Sequence, residues 1–317
     1  MIVAVVGAGV IGLSWAALFA SRGHDVRLSD PRPDLSELLA ATVTELATVL
    51  PGSGLPGDWA QRITVEPDLE IAVTGADVVQ ENGPERLELK QELFARVEAA
   101  APAHALLLSS TSGLMPSDIG ARLQDPGRIV VGHPFNPPHV VPLVEVVPGS
   151  ATTAELVEQV VAFYRSLGKV PIVLRREIGG FVANRLQSAV FRESVHLVLE
   201  GVVTSEELDR VVTESVGVRW ATAGPFESYH LGGGPDGIRH LLEHLGPGMA
   251  LRWKTLGRPE LTPELVDRIS TETEQRFDGQ SYEDRSAARD RAQLAVLEAR
   301  EAARQSGPGA GSSEAGS

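Results

Sequence analysis

The chain contains no cysteine. That removes disulfides, thiolate metal ligands and a cysteine nucleophile from consideration. Lysine is almost as scarce: Lys90, Lys169 and Lys254 are the only three in 317 residues. Aromatic residues make up 5% of the chain. No apolar run approaches the roughly 20 residues of a membrane-spanning helix. Positive charge is in deficit as well, because 28 Lys and Arg face 42 Asp and Glu, a formal charge of −14. Such a balance argues against a nucleic-acid partner or an anionic membrane surface. The N-terminus runs directly into an apolar strand, without a basic stretch or cleavage signal. The expectation is a cytoplasmic protein. With 43% hydrophobic residues, the chain can build two domains with separate cores.

Against these absences, the opening MIVAVVGAGVIGLSWAALFASRGHDVRLSD is rich in information. Residues 2–6 are continuously apolar and β-branched, the pattern of a buried parallel strand. Gly7, Gly9 and Gly12 follow in G-x-G-x-x-G spacing, with Ala8, Val10 and Ile11 between them. A helix follows, then a second strand at 26–28, ending at Asp30. Gly7 permits the tight turn. Gly9 lets a pyrophosphate approach the backbone and the helix N-terminus, and Gly12 allows close packing of helix on strand. Asp30 is placed to accept a hydrogen bond from a ribose 2′-hydroxyl. The motif predicts dinucleotide binding, and the carboxylate favours NAD. Arg32 lies close by and leaves NADP open as an alternative.

Further strands are expected at 63–65, 76–80, 105–109, 128–132 and 170–174, with helices at 35–50, 84–101, 116–123 and 154–167. The alternation implies an α/β fold, a Rossmann-like doubly wound parallel sheet. From Phe181 onward the pattern is helical, at 181–200, 205–215, 264–277 and 284–305. The expected organisation is an NAD-binding domain over 1–180 and an all-helical substrate and dimerisation domain over 181–304. The low-complexity ending SGPGAGSSEAGS places a disordered tail over 305–317.

Two polar clusters fall just beyond strand ends, where ligands bind in such sheets. One ends in Ser112. The other holds His133 and Asn136. Glu145 lies in an apolar run, where a carboxylate needs a partner, and His133 is the nearest candidate. A His–Glu pair beside a nicotinamide suggests hydride transfer between alcohol and ketone, the imidazole taking the hydroxyl proton. The competing reading has His133 ending a strand and Glu145 paired with a surface arginine. Spacing alone does not separate the two. The histidines offer no clear metal site: His240 and His244 lack an obvious third ligand.

Over residues 1 to about 300 the chain resembles the 3-hydroxyacyl-CoA dehydrogenase superfamily. The resemblance rests on PERLELK (84–90), STSG (110–113), HPFNP (133–137), PLVEVV (142–147) and GFVANR (180–185), in the family's order. It implies a catalytic His133–Glu145 pair, with Ser112 and Asn184 hydrogen-bonding the reacting oxygen and positioning His133. It implies NAD contacts from Glu85, Lys90, Ser112 and Asn136, and a homodimer.

Members that act on acyl-CoA carry a basic helical hairpin after the second strand. Here residues 33–61 contain no Lys or Arg but hold Asp34, Glu37, Glu45 and Asp58. This surface would repel CoA phosphates, so a free small L-3-hydroxy acid is the expected substrate. Residues 201–209, 217–234 and 289–299 resemble the branch with L-gulonate 3-dehydrogenase, lambda-crystallin and L-carnitine 3-dehydrogenase, and 237–269 looks closest to carnitine dehydrogenases. Trp220, Phe226 and Tyr229, with Trp253 and Glu227, are candidates for a box around a trimethylammonium group. Core or interface packing is an equal alternative for them. Arg219 could hold the substrate carboxylate or form a structural ion pair. Two other readings stay open: an acyl-CoA or acyl-carrier dehydrogenase, and a non-catalytic, crystallin-like protein that keeps the fold.

Overall fold

The opening strand is apolar at every position because both of its faces are covered. In a computed structural model that describes residues 1–46 and 59–306, β1 (Ile2–Val6) sends Val3 and Val5 into one core and Ala4 and Val6 into another. This is the two-residue alternation of a strand buried on both sides. The chain divides into two compact units, Met1–Arg185 and the residues from Leu186 onward.

In the first unit β1 is joined by β2 (Asp25–Ser29), β3 (Ile63–Val65), β4 (Val78–Glu81), β5 (Leu106–Ser109), β6 (Ile129–Pro134), β7 (Leu143–Pro148) and β8 (Val170–Val173). Their order in the sheet is β3-β2-β1-β4-β5-β6-β7-β8. Helices α1 (Val10–Ser21), α2 (Leu35–Leu46) and α6 (Ala154–Ser166) pack on one face, and α3 (Leu69–Val73), α4 (Leu87–Ala100) and α5 (Pro116–Ile119) on the other. Thr153 caps α6 by accepting from the Leu156 amide at 3.3 Å. The strand order reverses at β1, which lies between β2 and β4. A crevice opens at such a switch point, and the glycine loop follows β1 into it.

The sheet departs from all-parallel pairing at one place. β7, where the sequence reading assigned no strand, runs antiparallel to β6. The reason is the short connection 135–142. A parallel return needs a crossover of a dozen or more residues, so the chain folds straight back. β8 is reached through α6 and is parallel to β7. The expected helix 35–50 is described as far as Leu46. Residues 47–50, the 51–57 loop and Asp58 lie outside the described residues.

The remainder is helical: α7 (Ala183–Leu199), α8 (Ser205–Val211), α9 (Gly217–Thr222), α10 (Pro225–Gly232), α11 (Gly237–Trp253), α12 (Pro263–Arg276) and α13 (Tyr282–Ser306). A π-helical turn, Val212–Val216, joins α8 to α9. At the start of α8, Thr204 and Glu207 form a reciprocal capping box. The sequence reading did not expect α10 and α11. Gly246, Pro247 and Gly248 inside α11 are breaking signals, yet the helix continues through Pro247. Gln305, where the expected helix and the expected tail overlap, and Ser306, expected to be disordered, are the last residues of α13. Residues 307–317 of the expected tail lie outside the described residues. Among the described residues no helix is long and apolar enough to cross a membrane.

Candidate active site

Antiparallel pairing of β6 with β7 sets His133 directly opposite Glu145. The imidazole Nδ1 meets Glu145 Oε2 at 2.9 Å, with His133 5% and Glu145 2% exposed. Glu145 Oε1 accepts the backbone amides of Val182 (2.9 Å) and Ala183 (3.0 Å), where α7 begins. One carboxylate therefore orients the histidine and satisfies a helix start, whose dipole favours negative charge. Burial pushes the carboxyl upward. The hydrogen bond from His133 and the two amides outweigh it and hold Glu145 below the usual carboxylate range.

Two left-handed residues bring that helix start into place. Gly180 has φ 73° and Phe181 φ 47°. The second is costly for a residue with a side chain. The Phe181 ring is fully buried, with its centroid 5.3 Å from the His133 ring. Phe135 packs edge-on to the same imidazole at 4.9 Å. With Nδ1 on Glu145 and ring faces packed by aromatics, Nε2 is the position left for proton exchange.

Ser112 lies on the exposed loop after β5, where its amide (2.9 Å) and hydroxyl (3.2 Å) donate to Glu85 Oε1. Thr111 Oγ1 (2.6 Å) and the Gly113 amide (3.0 Å) donate to the same oxygen. Glu85 is thus a latch for the STSG loop. Asn184 joins this cluster, its side-chain amide donating to the Ser112 carbonyl at 3.3 Å. The structure links Asn184 to Ser112 and His133 to Glu145. The described hydrogen bonds of Ser112 and Asn184 do not reach His133. Lys90 is buried, and its ammonium donates to Glu81 Oε1 at 2.5 Å and Gly83 O at 3.2 Å, with Glu85 Oε2 at 3.8 Å. Asn136 is exposed in the loop after β6.

The glycine loop behaves as its spacing predicts. Gly7 has φ 95°. A Cβ on Gly12 would stand 1.8 Å from the Gly7 carbonyl oxygen, so helix and turn touch there. A Cβ on Gly9 would meet nothing within 4 Å. Gly9 is the N-cap of α1 with no side-chain cap, which leaves the first amides of the helix, including those of Val10 and Ile11, for an anion. Asp30 Oδ2 accepts the Ala8 amide at 2.8 Å, tying the loop to the end of β2. Arg32 is engaged by Asp34 in a two-point ion pair at 2.7 and 2.8 Å.

Several residues escaped the sequence reading. Glu81, fully buried, takes Lys90, the Gly83 amide and Ser109 Oγ. Tyr164 donates to Gln80 Oε1 (2.8 Å), Gln80 to Ser110 Oγ (2.9 Å), and Ser110 to Asn82 Oδ1 (2.7 Å). Trp15 Nε1 also reaches Ser110, at 3.2 Å. The signal was present: Gln80, Glu81 and Asn82 are polar residues at the end of an apolar strand, as His133 is.

In the helical unit Arg219 is exposed and forms no ion pair among the described residues. Phe226 is 83% exposed, and Trp220 and Tyr229 are each 44% exposed. Among the described residues no ring contact joins these three. Trp220 lines a cavity of about 770 Å³ with Val190, Phe191, Leu208 and the Asp209–Arg276 ion pair. His240 and His244 have ring centroids 4.2 Å apart. Among the described residues no three His, Asp or Glu gather as a metal site.

Residues 2–178 match the NAD binding domain of 3-hydroxyacyl-CoA dehydrogenase, and residues 180–277 match its C-terminal domain. The chain belongs to the 3-hydroxyacyl-CoA dehydrogenase family. L-Carnitine dehydrogenase of Streptomyces griseus is 45% identical over 298 residues, 94% of this chain and 89% of that one. The Pseudomonas aeruginosa enzyme of the same name is 43% identical over 93% and 92% of the two chains. Among solved structures, an NAD-dependent 5-formyl-3-hydroxy-2-methylpyridine 4-carboxylic acid 5-dehydrogenase superposes with TM-score 0.75 at 28% identity, covering 95% and 98%. This member of the 3-hydroxyacyl-CoA dehydrogenase family is thus an NAD-dependent oxidoreductase. The open space at Gly9, the free helix start and the carboxylate at the end of β2 fit that cofactor.

Proposed function

We propose that the chain oxidises the 3-hydroxyl of L-carnitine to the ketone, with His133 as the proton acceptor. The observation that carries the chemistry is the buried His133–Glu145 pair, opposed across β6 and β7 at the ligand-binding edge of the sheet. In oxidation, His133 takes the hydroxyl proton at Nε2. Glu145 fixes the tautomer through Nδ1 and stabilises the imidazolium. Bound NAD supplies the acceptor for the carbinol hydride. In reduction, His133 returns the proton. Ser112 and Asn184, linked through the Ser112 carbonyl, hold the reacting oxygen. The glycine loop and Asp30 hold the cofactor, with Glu85, Lys90, Ser112 and Asn136 as its further contacts.

Three observations support the carnitine reading. Relatives that match over nearly the full chain carry that name. The segment 33–61 lacks any basic residue for CoA phosphates. The net charge of −14 disfavours the polyanionic CoA thioester more than a zwitterionic free acid. Trp220, Phe226 and Tyr229 remain the candidates for the trimethylammonium and Arg219 for the carboxylate. Exposed Leu231, Leu251 and Trp253 on the helical unit support a homodimer, and the composition supports a cytoplasmic location.

The test is His133→Ala in the full chain. NADH formation from L-carnitine is lost while NADH binding persists. Retention of most of the activity would dismiss His133 as the base. Arg219→Ala raises KM for carnitine without altering NADH affinity, and an unchanged KM would dismiss its substrate role.

A further inference from the structure

Lys169 takes no part in the chemistry above, yet it is one of three lysines and only 7% exposed. Its ammonium donates to Pro138 O and Val141 O, each at 2.5 Å, and lies over the Trp15 ring, 5.4 Å from the centroid. Its partners are thus two carbonyls and a ring face. No carboxylate pairs with it among the described residues. An ammonium buried without a counterion is costly. A methionine would fill the same space without that cost, so packing alone does not account for a lysine.

Topology shows what the lysine holds. Because β7 runs back along β6, Val170 pairs with Leu143 at the edge where β6 delivers His133. Lys169 immediately precedes Val170. The two carbonyls it binds belong to the loop 135–142, which also carries Asn136. The same loop is fastened from the other side: Ser14 Oγ meets His139 Nδ1 at 2.8 Å and accepts the His139 amide at 3.0 Å. Ser14 and Trp15 are neighbours on α1, the helix that starts at the glycine loop. Burial, and secondarily Arg22, lower the Lys169 pKa to about 7. A neutral amine retains two N–H donors, enough for both carbonyls, so the clamp works in either protonation state.

We propose that Lys169 is a positioning residue that locks the loop 135–142 against the cofactor helix and thereby sets Asn136 at the nicotinamide half of the NAD site. The proposal rests on the reading of Asn136 as a cofactor contact. Two substitutions test it in the full-length protein: Lys169→Met, which keeps the bulk but no donor, and Lys169→Gln, which is shorter but keeps an NH₂. Calorimetry compares NADH with AMP, which occupies the adenosine half alone. In folded Lys169→Met, NADH binds on the order of tenfold more weakly and kcat falls, while AMP affinity changes less than about twofold. Lys169→Gln is intermediate, and it supplies the comparison should the methionine variant fail to fold. Equal weakening of NADH and AMP would indicate general damage to the site and overturn the proposal. Asn136→Ala, measured in parallel, separates the two claims. Unchanged NADH affinity there would remove Asn136 from the cofactor site. Weakened NADH in Asn136→Ala with unchanged NADH in Lys169→Met would overturn the clamp alone.

Discussion

Glu145→Gln isolates the carboxylate's role in chemistry from its role in the fold. In the native site Oε2 accepts from His133 Nδ1 and Oε1 accepts two amides at the start of α7. A glutamine keeps its oxygen on the amides and turns its NH₂ toward His133. Nδ1 must then accept, so the ring proton moves to Nε2, where the substrate proton should go. Loss of a charge-assisted hydrogen bond costs about 1.5–3 kcal/mol, one to two decades in rate at about 1.4 kcal/mol per decade. Inversion of the tautomer adds to this, and the equivalent change in a serine protease triad costs about 10⁴-fold in kcat. The expected loss in kcat is therefore on the order of 10³- to 10⁴-fold. Stability falls by only about 1–2 kcal/mol, because the amides stay satisfied. Steady-state NADH formation, NADH binding by fluorescence and a thermal melt are the assays. A folded variant with kcat within about tenfold of the native value would refute the orienting role.

Glu145 also governs acid stability. Its folded pKa lies below the usual value of 4.5, so its contribution is complete above that value and is lost as pH falls through the folded one. The Tm difference between the native protein and Glu145→Gln should close as the pH falls below about 4.5; a gap that persisted in strong acid would contradict this. Two glycine substitutions should part ways. Gly12→Ala, with its Cβ 1.8 Å from the Gly7 oxygen, lowers stability by at least about 1–3 kcal/mol, whereas Gly9→Ala melts normally but binds NADH roughly tenfold more weakly. Lys90→Met strands the fully buried Glu81 carboxylate, and chemical denaturation should register a loss of about 3–5 kcal/mol.

The glycine loop was legible in the sequence because glycines answer local steric demands, and the structure shows those demands at Gly7 and Gly12. The alternation of strands and helices was legible because the inner strands β1, β4, β5 and β6 are covered on both faces and open with apolar runs. The His133–Glu145 contact was harder. Twelve residues of sequence separation say nothing of register. The register follows only once the connection 135–142 is seen to be too short for a parallel crossover. The polar chain Gln80–Asn82, Ser110 and Tyr164 is drawn from three stretches far apart in sequence that meet only across β4, β5 and α6. In the helical unit, Gly246-Pro247-Gly248 reads as a break, and tertiary context carries α11 through it. The aromatic residues 220, 226 and 229 cluster in sequence, and among the described residues no ring contact joins them.

The central claim is best tested by following NADH formation with L-carnitine, L-gulonate, L-3-hydroxybutyrate and L-3-hydroxybutyryl-CoA side by side. The account predicts turnover with L-carnitine and none with the CoA ester. Turnover confined to the CoA ester would contradict it and would show that the acidic 33–61 segment does not exclude CoA.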